Sequence, residues 1–308
     1  MTDWGFKVSK ANSCVFHYNG DEPIWLFVHI DDIGVFGKNL TKLKTAIETK
    51  FSTKSLGLAN LILGIKITHE ANSITLSQYH YIDSLLDLYG MANCSLSYLS
   101  TATRPNLSFS VSALSQFLES PGIQNWQAFL HVLKYLKGTS TIGLNYCRDN
   151  QEPPTAYSDA DWGNSRVSRC SVTGYLITIH NNLVIWKKRK QPTVSLSLAE
   201  AGYKALTDLA CELMWFRQFC KEISINTEDK PILVNEDNQG CIDTANGDLN
   251  TNSQQMNYVD IQLHFIREVI SSSIICLIYT PTTSMLEDFL TKAVCRPALQ
   301  KTMNCLRL

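Results

Sequence analysis

The stretch Thr155-Ala156-Tyr157-Ser158-Asp159-Ala160-Asp161-Trp162 predicts a short strand that runs directly into acidic residues. The segment from Ile232 to Asn235 repeats the pattern, because an apolar strand is followed there by Glu236 and Asp237. In open α/β sheets, ligand-binding residues commonly lie at the ends of neighbouring strands. We therefore expect Asp159 and Asp237 to lie near each other at one edge of a sheet.

The segments around these two strands alternate as expected for a mixed sheet with helices on its faces. Val172 to Ile179 and Leu183 to Lys187 form a predicted hairpin. A long helix from about Leu198 to Glu222 begins after Ser195 or Ser197, either of which could cap it. The remaining predicted elements are a short helix after Asn238, a helix from Tyr258 to Ser271, a strand from Ile274 to Tyr279 and a helical region that carries Asp288.

The first half of the chain divides into two further blocks. Residues 1 to about 94 alternate strand-like and helix-like stretches, and Asp31-Asp32 lies between two apolar runs. Residues from about 95 to 152 are predicted to be helical, with helices at Leu107 to Phe117 and Trp126 to Leu136. On pattern alone, an acid pair between two strands is more often a solvated turn than a functional site.

Composition excludes several classes of protein. The chain has 308 residues and a formal net charge of -1, so any nucleic-acid binding depends on local basic patches. Ten cysteines form neither a CxxC pair nor a zinc-like cluster. Together with the lack of a signal peptide, this indicates an intracellular protein of the cytoplasm or nucleus that is not secreted. The most apolar run, Ile24 to Phe36, is too short to span a membrane.

The acidic residues of the second half suit a hard divalent cation. Magnesium sites take carboxylate oxygens from several distant elements, and two such ions roughly 4 Å apart can hold both reacting oxygens of a phosphodiester. The candidates are Asp159, Glu200, Asp237 and Asp288. Three of the four also have a structural interpretation, since Asp159 and Asp237 could be turn or cap residues and Asp288 a first-turn helix acid. Asp161 and Glu236 are interpreted as solvated neighbours or supporting groups.

Short motifs occur in one order across nearly the whole chain. They are Phe27-Val28-His29-Ile30-Asp31-Asp32, Leu63-Gly64-Ile65, Leu76-Ser77-Gln78, Thr103-Arg104-Pro105-Asn106-Leu107, Leu114-Ser115-Gln116-Phe117, Leu133-Lys134-Tyr135-Leu136-Lys137-Gly138-Thr139, Tyr157-Ser158-Asp159-Ala160-Asp161-Trp162, Glu236-Asp237-Asn238-Gln239 and His264-Phe265-Ile266-Arg267-Glu268. As an ordered set they resemble the C-terminal part of a copia-type retrotransposon polyprotein, which comprises the end of the reverse transcriptase and its RNase H.

This resemblance implies an architecture and a chemistry. It implies an α/β (α+β), RNase H-like domain at 153–308 with a mixed five-stranded sheet and flanking helices. That domain would follow a truncated reverse-transcriptase palm and thumb region at 1–94 and a helical connection at 95–152. The implied cofactor is Mg²⁺ or Mn²⁺, bound by Asp159, Asp237 and Asp288, and the implied partner is an RNA/DNA hybrid or other nucleic acid. Asp31 and Asp32 would be the residual polymerase turn, whose partner Asp lies on a palm strand upstream of the chain, so we expect no polymerase activity.

One expected ligand departs from the family's pattern. Family members carry Ala-Glu-Ala-Glu-Tyr, and we take the second Glu as the metal ligand; here that position is Gly202. Glu200 lies two residues away, about 200° round the helix, so it cannot replace the ligand unless the helix rotates. We therefore expect weak metal binding and impaired or lost RNase H cleavage. The alternatives are an active Mg²⁺-dependent RNase H that uses Glu200, and a non-catalytic nucleic-acid-binding or interaction module.

A run of basic residues bears on the substrate. Lys187, Lys188, Arg189 and Lys190 follow a predicted strand and could contact the phosphates of a hybrid, which would give sequence-independent, salt-sensitive affinity. A solvated strand end explains the same four residues equally well. The resemblance, which places a Trp-Lys segment here, favours proximity to the substrate.

Overall fold

A computed structural model describes residues 4–20, 22–87, 92–148, 152–163, 168–225, 230–247 and 260–308. The chain forms two compact units, Met1–Ile62 with Glu212–Asp229, and Leu63–Cys211 with Lys230–Leu308. The domain boundaries predicted near residues 94 and 152 do not coincide with those of the compact units, which lie after Ile62, Cys211 and Asp229. Among the described residues, every helix is too short or too polar to cross a membrane.

The first unit contains an antiparallel sheet with strand order β1-β2-β3-β4. Its elements are β1 (Lys7–Val8), β2 (Val15–Tyr18), β3 (Ile24–His29), β4 (Asp32–Phe36), α1 (Thr41–Lys50) and β5 (Leu61–Ile62). Phe6, Leu26 and Ile47 form its buried core. The segment from residue 212 onward belongs to this unit through polar contacts, because Glu222 accepts a hydrogen bond from the Ser9 hydroxyl and Trp215 Nε1 donates to the Ala11 carbonyl at 3.0 Å.

The second unit begins with an antiparallel sheet and a group of helices. These elements are β6 (Ile65–His69), β7 (Ser73–Ser77), α2 (Tyr79–Asp87), α3 (Ala92–Ala102), α4 (Ser108–Ser115), α5 (Ile123–Gly138) and β8 (Leu144–Cys147). Apolar side chains from all four helices pack into one cluster. Strand β8 falls in the block predicted to be helical, and that part of the prediction is wrong. Its partner, β7, lies some 70 residues away in the sequence, so local periodicity gave no sign of the pairing.

The remainder of the second unit is a five-stranded mixed sheet flanked by helices. The elements are β9 (Thr155–Asp161), β10 (Val172–Ile179), β11 (Asn182–Lys190), α6 (Leu198–Glu222), β12 (Ile232–Glu236), α7 (Gln239–Asn246), α8 (Asp260–Ser271), β13 (Ile275–Tyr279), α9 (Asp288–Thr291) and α10 (Arg296–Cys305). The strand order is β11-β10-β9-β12-β13; β10 is antiparallel to both of its neighbours, and β12 is parallel to both of its own. The mixed five-stranded sheet with flanking helices that was predicted for this region is confirmed.

Three strands extend further than the sequence pattern predicted. Asp159 lies within β9, which continues to Asp161, and Glu236 is the last residue of β12. Strand β11 continues through Lys190, because Val172 of the long strand β10 pairs with Asp161 on one side and with Lys190 on the other. Tyr258, the predicted start of the helix α8, lies outside the described residues.

The two faces of β9 pack against different helices. Side chains alternate along a strand, so Tyr157 and Asp159 share one face while Ala156, Ser158 and Ala160 share the other. Tyr157 packs against the apolar cluster that contains Phe289 of α9. Ala160 packs against Ala201 and Ala205 of α6, where small side chains let the helix approach closely. The sheet thus lies between α6 and α9.

Arg104 holds in place the 3₁₀ turn Pro105–Leu107, which packs against α9. Its side chain is fully buried, and Nη1 and Nη2 donate to the carbonyl and hydroxyl oxygens of Thr139 at 2.9 and 2.8 Å. Nε donates to Asn106 Oδ1 at 3.2 Å, and the guanidinium lies 5.8 Å from the centre of the Tyr135 ring. The guanidinium therefore joins the end of α5 to the 3₁₀ turn Pro105–Leu107, which packs against α9.

We expect Arg104→Lys to lower the free energy of unfolding of the chain by about 2–4 kcal/mol. The three acceptors are bound by three different nitrogens of the guanidinium, and the single nitrogen of an ammonium group cannot lie within hydrogen-bond distance of all of them. Urea denaturation followed by circular dichroism measures the change. Arg148→Lys, at an exposed position, is the matched control and should shift stability by less than about 0.5 kcal/mol. Equal effects of the two substitutions would contradict a structural role for Arg104.

Candidate metal centre

Asp159 is held on the α9 face of the sheet by two residues from the end of α9. The Thr291 hydroxyl donates to Asp159 Oδ2 at 2.6 Å, and Lys292 Nζ lies 3.1 Å from the same oxygen. Asp159 is only 5% exposed, so its carboxylate depends on these partners for compensation of its charge.

Asp288, the first residue of α9, shares the same ammonium group. Lys292 Nζ lies 2.8 Å from Asp288 Oδ1, one helical turn away. Burial raises the pKa of Asp288 above its ordinary value; Lys292 opposes this shift, and the negative charges of Asp159 and Asp237 add to it. Burial alone would lower the pKa of Lys292, but the two carboxylates outweigh it and raise that pKa. One cation thus balances two acids from different elements.

Asp237 follows β12 directly and completes the predicted set of three. It accepts a hydrogen bond at 2.7 Å from the hydroxyl of Thr282, in the 3₁₀ turn Thr282–Ser284 after β13. Its negative charge contributes to the raised pKa of Asp288. Asp159, Asp237 and Asp288 come from β9, the end of β12 and the start of α9.

The sequence analysis did not predict the burial of two further acids, Glu236 and Glu287. Glu236, interpreted there as a solvated or supporting residue, is 2% exposed, and Glu287 is 0% exposed. Burial, together with the charge of Asp237, raises the pKa of Glu236 well above its ordinary value; burial and the charge of Asp159 do the same for Glu287. The alternation of Ile232, Val234 and Glu236 on one strand face could have identified Glu236 as buried.

We refer to Asp159, Glu236, Asp237, Glu287 and Asp288 together as the carboxylate cluster. Three oxygens in it, Glu236 Oε2 and both carboxyl oxygens of Glu287, are buried and have no hydrogen-bond partner among the described residues. In the part of the chain that the structure describes, no three His, Cys, Asp or Glu side chains are already arranged around a common metal position. The donor set nevertheless fits a hard divalent cation, because it consists of carboxylates with unsatisfied oxygens.

Glu200 has other partners. Its carboxylate accepts a hydrogen bond from the Leu196 backbone N–H at 2.7 Å and lies 2.8 Å from Lys204 Nζ. Its own backbone N–H donates to the Ser197 hydroxyl at 3.0 Å, which identifies Ser197, and not Ser195, as the capping residue of α6. Glu200 therefore stabilises the start of the helix.

Gly202 lies on the opposite side of α6 from Glu200, against the segment that follows Asp237. A Cβ atom at this position would lie 3.4 Å from Cys241 Sγ and 3.7 Å from Asn238 Nδ2, which are distances of ordinary or slightly tight packing. Position 202 thus faces α7 and its cap, Asn238.

The four predicted phosphate-binding residues lie within β11 and divide between its two faces. Lys188 packs on the Phe109 ring, with Nζ 4.3 Å from the ring centre; burial lowers its pKa to about 8, against an opposing effect of Asp161. On the other face, Arg189 lies 3.7 Å from Asp208 of α6. Lys187, Arg189 and Lys190 are exposed. The run is therefore no continuous basic surface, and its contact with phosphates stays a prediction.

Asp31 lies in the turn between β3 and β4 of the first unit and Asp32 is the first residue of β4, and both are exposed. Ile30 adopts a positive φ of 50°, which closes this tight connection. Neither acid belongs to a group of three potential metal ligands within the described residues.

The chain is similar in sequence to known reverse-transcriptase and retrotransposon proteins. Residues 1–103 match the family described as reverse transcriptase (RNA-dependent DNA polymerase). Over 96% of its length the chain is 29% identical to the "Retrovirus-related Pol polyprotein from transposon TNT 1-94" of Nicotiana tabacum, and it covers 25% of that protein. Over 62% of its length it is 30% identical to the "Uncharacterized mitochondrial protein AtMg00810" of Arabidopsis thaliana, and it covers 94% of that protein.

The chain belongs to the copia-type retrotransposon Pol polyproteins. It spans about a quarter of the length of the tobacco polyprotein. Among solved structures, the foamy viral protease-reverse transcriptase in complex with RNA/DNA hybrid shares 12% sequence identity and a TM-score of 0.49, over 88% of this chain and 37% of that chain. As a copia-type protein, the chain combines reverse-transcriptase sequence in its first third with an RNase H-like sheet in its second half.

We expect Mn²⁺ titration of this copia-type chain to show at most one weak site. Glycine occupies position 202, where a fourth carboxylate ligand was expected, so the three remaining acids carry less negative charge to attract a second ion. Asp159→Asn should abolish that site, since the amide keeps the shape but loses the charge. Calorimetry and Mn²⁺ electron paramagnetic resonance measure the occupancy. Asp208→Asn, on α6, is the control and should leave binding unchanged; two tight sites would contradict the expectation.

Lys292→Gln should raise Mn²⁺ affinity by roughly tenfold or more, because the ammonium group competes with a cation for Asp159 and Asp288 at a short distance. The same substitution should lower the melting temperature without metal, since two carboxylates lose their shared counter-charge. Addition of Mn²⁺ should recover that loss. Lys187→Gln, on the other face of the sheet, serves as the control. Weaker Mn²⁺ binding by Lys292→Gln would argue that the ammonium group supports the ion.

Proposed function

We propose that the RNase H-like part of the chain binds RNA/DNA hybrids and one Mg²⁺ or Mn²⁺ ion weakly, and cleaves the RNA strand slowly or not at all. One observation carries the proposal. Lys292 joins Asp159 and Asp288 at 3.1 and 2.8 Å, and Asp237 follows the neighbouring strand β12. Glycine occupies position 202, where a fourth ligand was expected, and the carboxylate of Glu200 is bound to Leu196 and Lys204.

A divalent cation at this centre would supply Lewis-acid stabilisation of the reacting phosphodiester oxygens. Asp159, Asp237 and Asp288 would hold it through oxygen atoms. Thr291 orients the carboxylate of Asp159, and Thr282 orients that of Asp237. Lys292 supplies one positive charge to two of these carboxylates and would have to share or release them when the cation binds.

We further propose that these 308 residues do not polymerise DNA by themselves. Asp31 and Asp32 are exposed at a turn, and no third potential metal ligand is grouped with them in the described residues. A polymerase site requires acids from more than one segment, because its metal ions contact both the attacking and the leaving oxygen.

The alternative, an active RNase H that uses Glu200, would require α6 to rotate. Such a rotation would break the capping hydrogen bond to Leu196 and the ion pair with Lys204, and it would remove Ala201 from its packing against Ala160. The buried position of Ala201 fixes the helix against that movement. The geometry therefore favours impaired cleavage.

The test is a labelled RNA/DNA hybrid incubated in Mg²⁺ with wild type, Gly202→Glu and Glu200→Gln. We expect Gly202→Glu to raise the rate at least tenfold, which corresponds to about 1.4 kcal/mol of transition-state stabilisation. The packing around position 202 has room for a Cβ atom, so the fold should tolerate the change. Glu200→Gln should leave the rate unchanged.

Gly138→Glu is the matched control, because Gly138 is also a helix glycine, is exposed and has open space around it. It should leave the rate unchanged. Robust wild-type cleavage that is lost in Glu200→Gln would overturn the proposal and make Glu200 the ligand. Hybrid binding without cleavage by any variant would favour the non-catalytic nucleic-acid-binding module.

A further inference from the structure

Helix α5 carries a second apolar face, which lies on the surface. Its first face packs into the cluster formed by the helices of the second unit, through Phe129, Val132, Leu133 and Leu136. A surface helix of a globular protein usually has one apolar stripe, which faces the core. In the first half of α5, however, Ile123 is 79% exposed and Trp126 is 52% exposed. These two side chains extend the apolar surface of the helix beyond what its own core requires.

The exposed side chains belong to one stripe along the helix. Ile123, Trp126 and Leu130 follow one another at intervals of three and four residues, and the same spacing continues to Lys134 and Lys137. Leu130 is half-buried, and both lysines are exposed. We call these five residues the α5 stripe. It is apolar in the first half of the helix and positively charged in the second.

The ring of Trp126 is held in place from below. It stacks on the ring of Phe129, with ring centres 5.3 Å apart and planes 30° apart, and Phe129 is buried. An aromatic side chain that is already held in one orientation loses little conformational entropy when a partner covers it. Tryptophan is also among the residues that most often dominate the binding energy of protein–protein interfaces. The α5 stripe is thus preorganised to bind another apolar surface.

The turn before α5 adds apolar surface and an acid. Phe117 and Leu118 are 45% and 49% exposed, and the exposed Glu119 follows them directly. Glu119 precedes the apolar half of the α5 stripe, and the two lysines follow it. Opposite charges therefore lie at the two ends of one exposed apolar surface.

We propose that the α5 stripe binds a second copy of this chain, with the two α5 helices packed antiparallel about a two-fold axis. In such an interface the same surface is used by both copies, so it must be complementary to itself. An axis beside Trp126 places the two Trp126 rings next to each other and Ile123 against Leu130 of the second copy. Each exposed apolar side chain of the stripe then meets an apolar side chain.

Charge complementarity selects this arrangement. With the axis between Trp126 and Gln127, Glu119 of one copy lies opposite Lys134 of the second copy. A shift that places Trp126 opposite Leu130 brings Glu119 opposite Lys137 instead, so one of the two lysines meets the acid in either register. A parallel arrangement would place Glu119 against Glu119 and lysine against lysine, where like charges repel each other.

The same features fit a nucleic-acid strand less well. Phosphate groups would attract Lys134 and Lys137, but Glu119 would repel them. The aliphatic side chain of Ile123 offers neither a charge nor a ring on which a base could stack. The proposal does not involve the carboxylate cluster, and it is independent of the proposed function.

The first experiment is sedimentation velocity of the full chain at roughly 1–100 µM, the range of dissociation constants expected for an interface of small area. The protein is first freed of nucleic acid. We expect wild type to pass from monomer to dimer with rising concentration. Trp126→Ala should weaken the dimer at least tenfold, which is about 1.4 kcal/mol. Trp162→Ala is the matched control, because Trp162 is equally exposed, at 51%, but lies beyond the end of β9; it should change the dissociation constant less than about twofold.

A second experiment exchanges the charges. One variant carries Glu119→Lys, and the other carries both Lys134→Glu and Lys137→Glu. Each should be monomeric alone, because like charges then face each other at both ends of the interface. An equal mixture should dimerise with a dissociation constant within about threefold of wild type, since every pair is again of opposite sign. All three positions are exposed, so folding should be preserved, and circular dichroism checks this. A residue that merely supports the fold would not give recovery on mixing.

Several outcomes would overturn the proposal. One is a wild-type chain that stays monomeric over the whole concentration range. Equal weakening by Trp126→Ala and Trp162→Ala would remove the α5 stripe as the interface. Absence of a dimer in the mixture of charge variants would exclude the antiparallel arrangement. Charge variants that dimerise like wild type but bind an RNA/DNA hybrid more weakly would assign the lysines to nucleic acid. None of these results changes the expectation for the metal centre.

Discussion

The candidate centre depends on two ion pairs, which the ammonium group of Lys292 forms with Asp159 and with Asp288. Helix α9 has only four residues, too few to be stable alone, so its position is set by tertiary contacts. Phe289 and Leu290 pack in the apolar cluster on one side of the sheet. Thr291 and Lys292 then meet the buried carboxylate of Asp159. Because a buried charge needs a partner, the same contacts that dock the helix also bring two acids together.

The helical block before the sheet supports this arrangement. The sequence predicted only a helical connection here, yet in the folded chain this block packs against α9, the helix that carries Asp288. The 3₁₀ turn Pro105–Leu107 and α4 both contact α9, and Trp186 of β11 donates a hydrogen bond to the Ser100 carbonyl at 2.8 Å. The buried guanidinium of Arg104 ties this turn to the end of α5. Precise positioning of acids on a short helix requires such rigid surroundings, since a loose scaffold would not hold two like charges close together.

The carboxylate cluster contains more acidic than basic side chains. The carboxylate cluster holds five acids, and Lys292 is the cation whose contacts with it the structure shows. Two of the five are buried with unsatisfied oxygens, so the folded chain carries an electrostatic cost at its centre. A cluster of this kind is stabilised by protonation or by a bound cation.

The sequence by itself determined the family and the mixed five-stranded sheet, because motif order and the period-two and helical patterns are local properties of the chain. It also predicted Asp159, Asp237 and Asp288 as metal ligands and Gly202 at the position of an expected glutamate, and these stay predictions. Only the tertiary structure decided that β8 is a strand, that the basic run divides between two faces of β11, and that Glu200 caps α6. Pairing, burial and capping partners depend on residues far away in the sequence, and one chain carries no local record of them. For the same reason, the sequence did not predict that Glu287 is buried or that its carboxyl oxygens have no hydrogen-bond partner among the described residues. Both follow from the packing of α9 against the sheet.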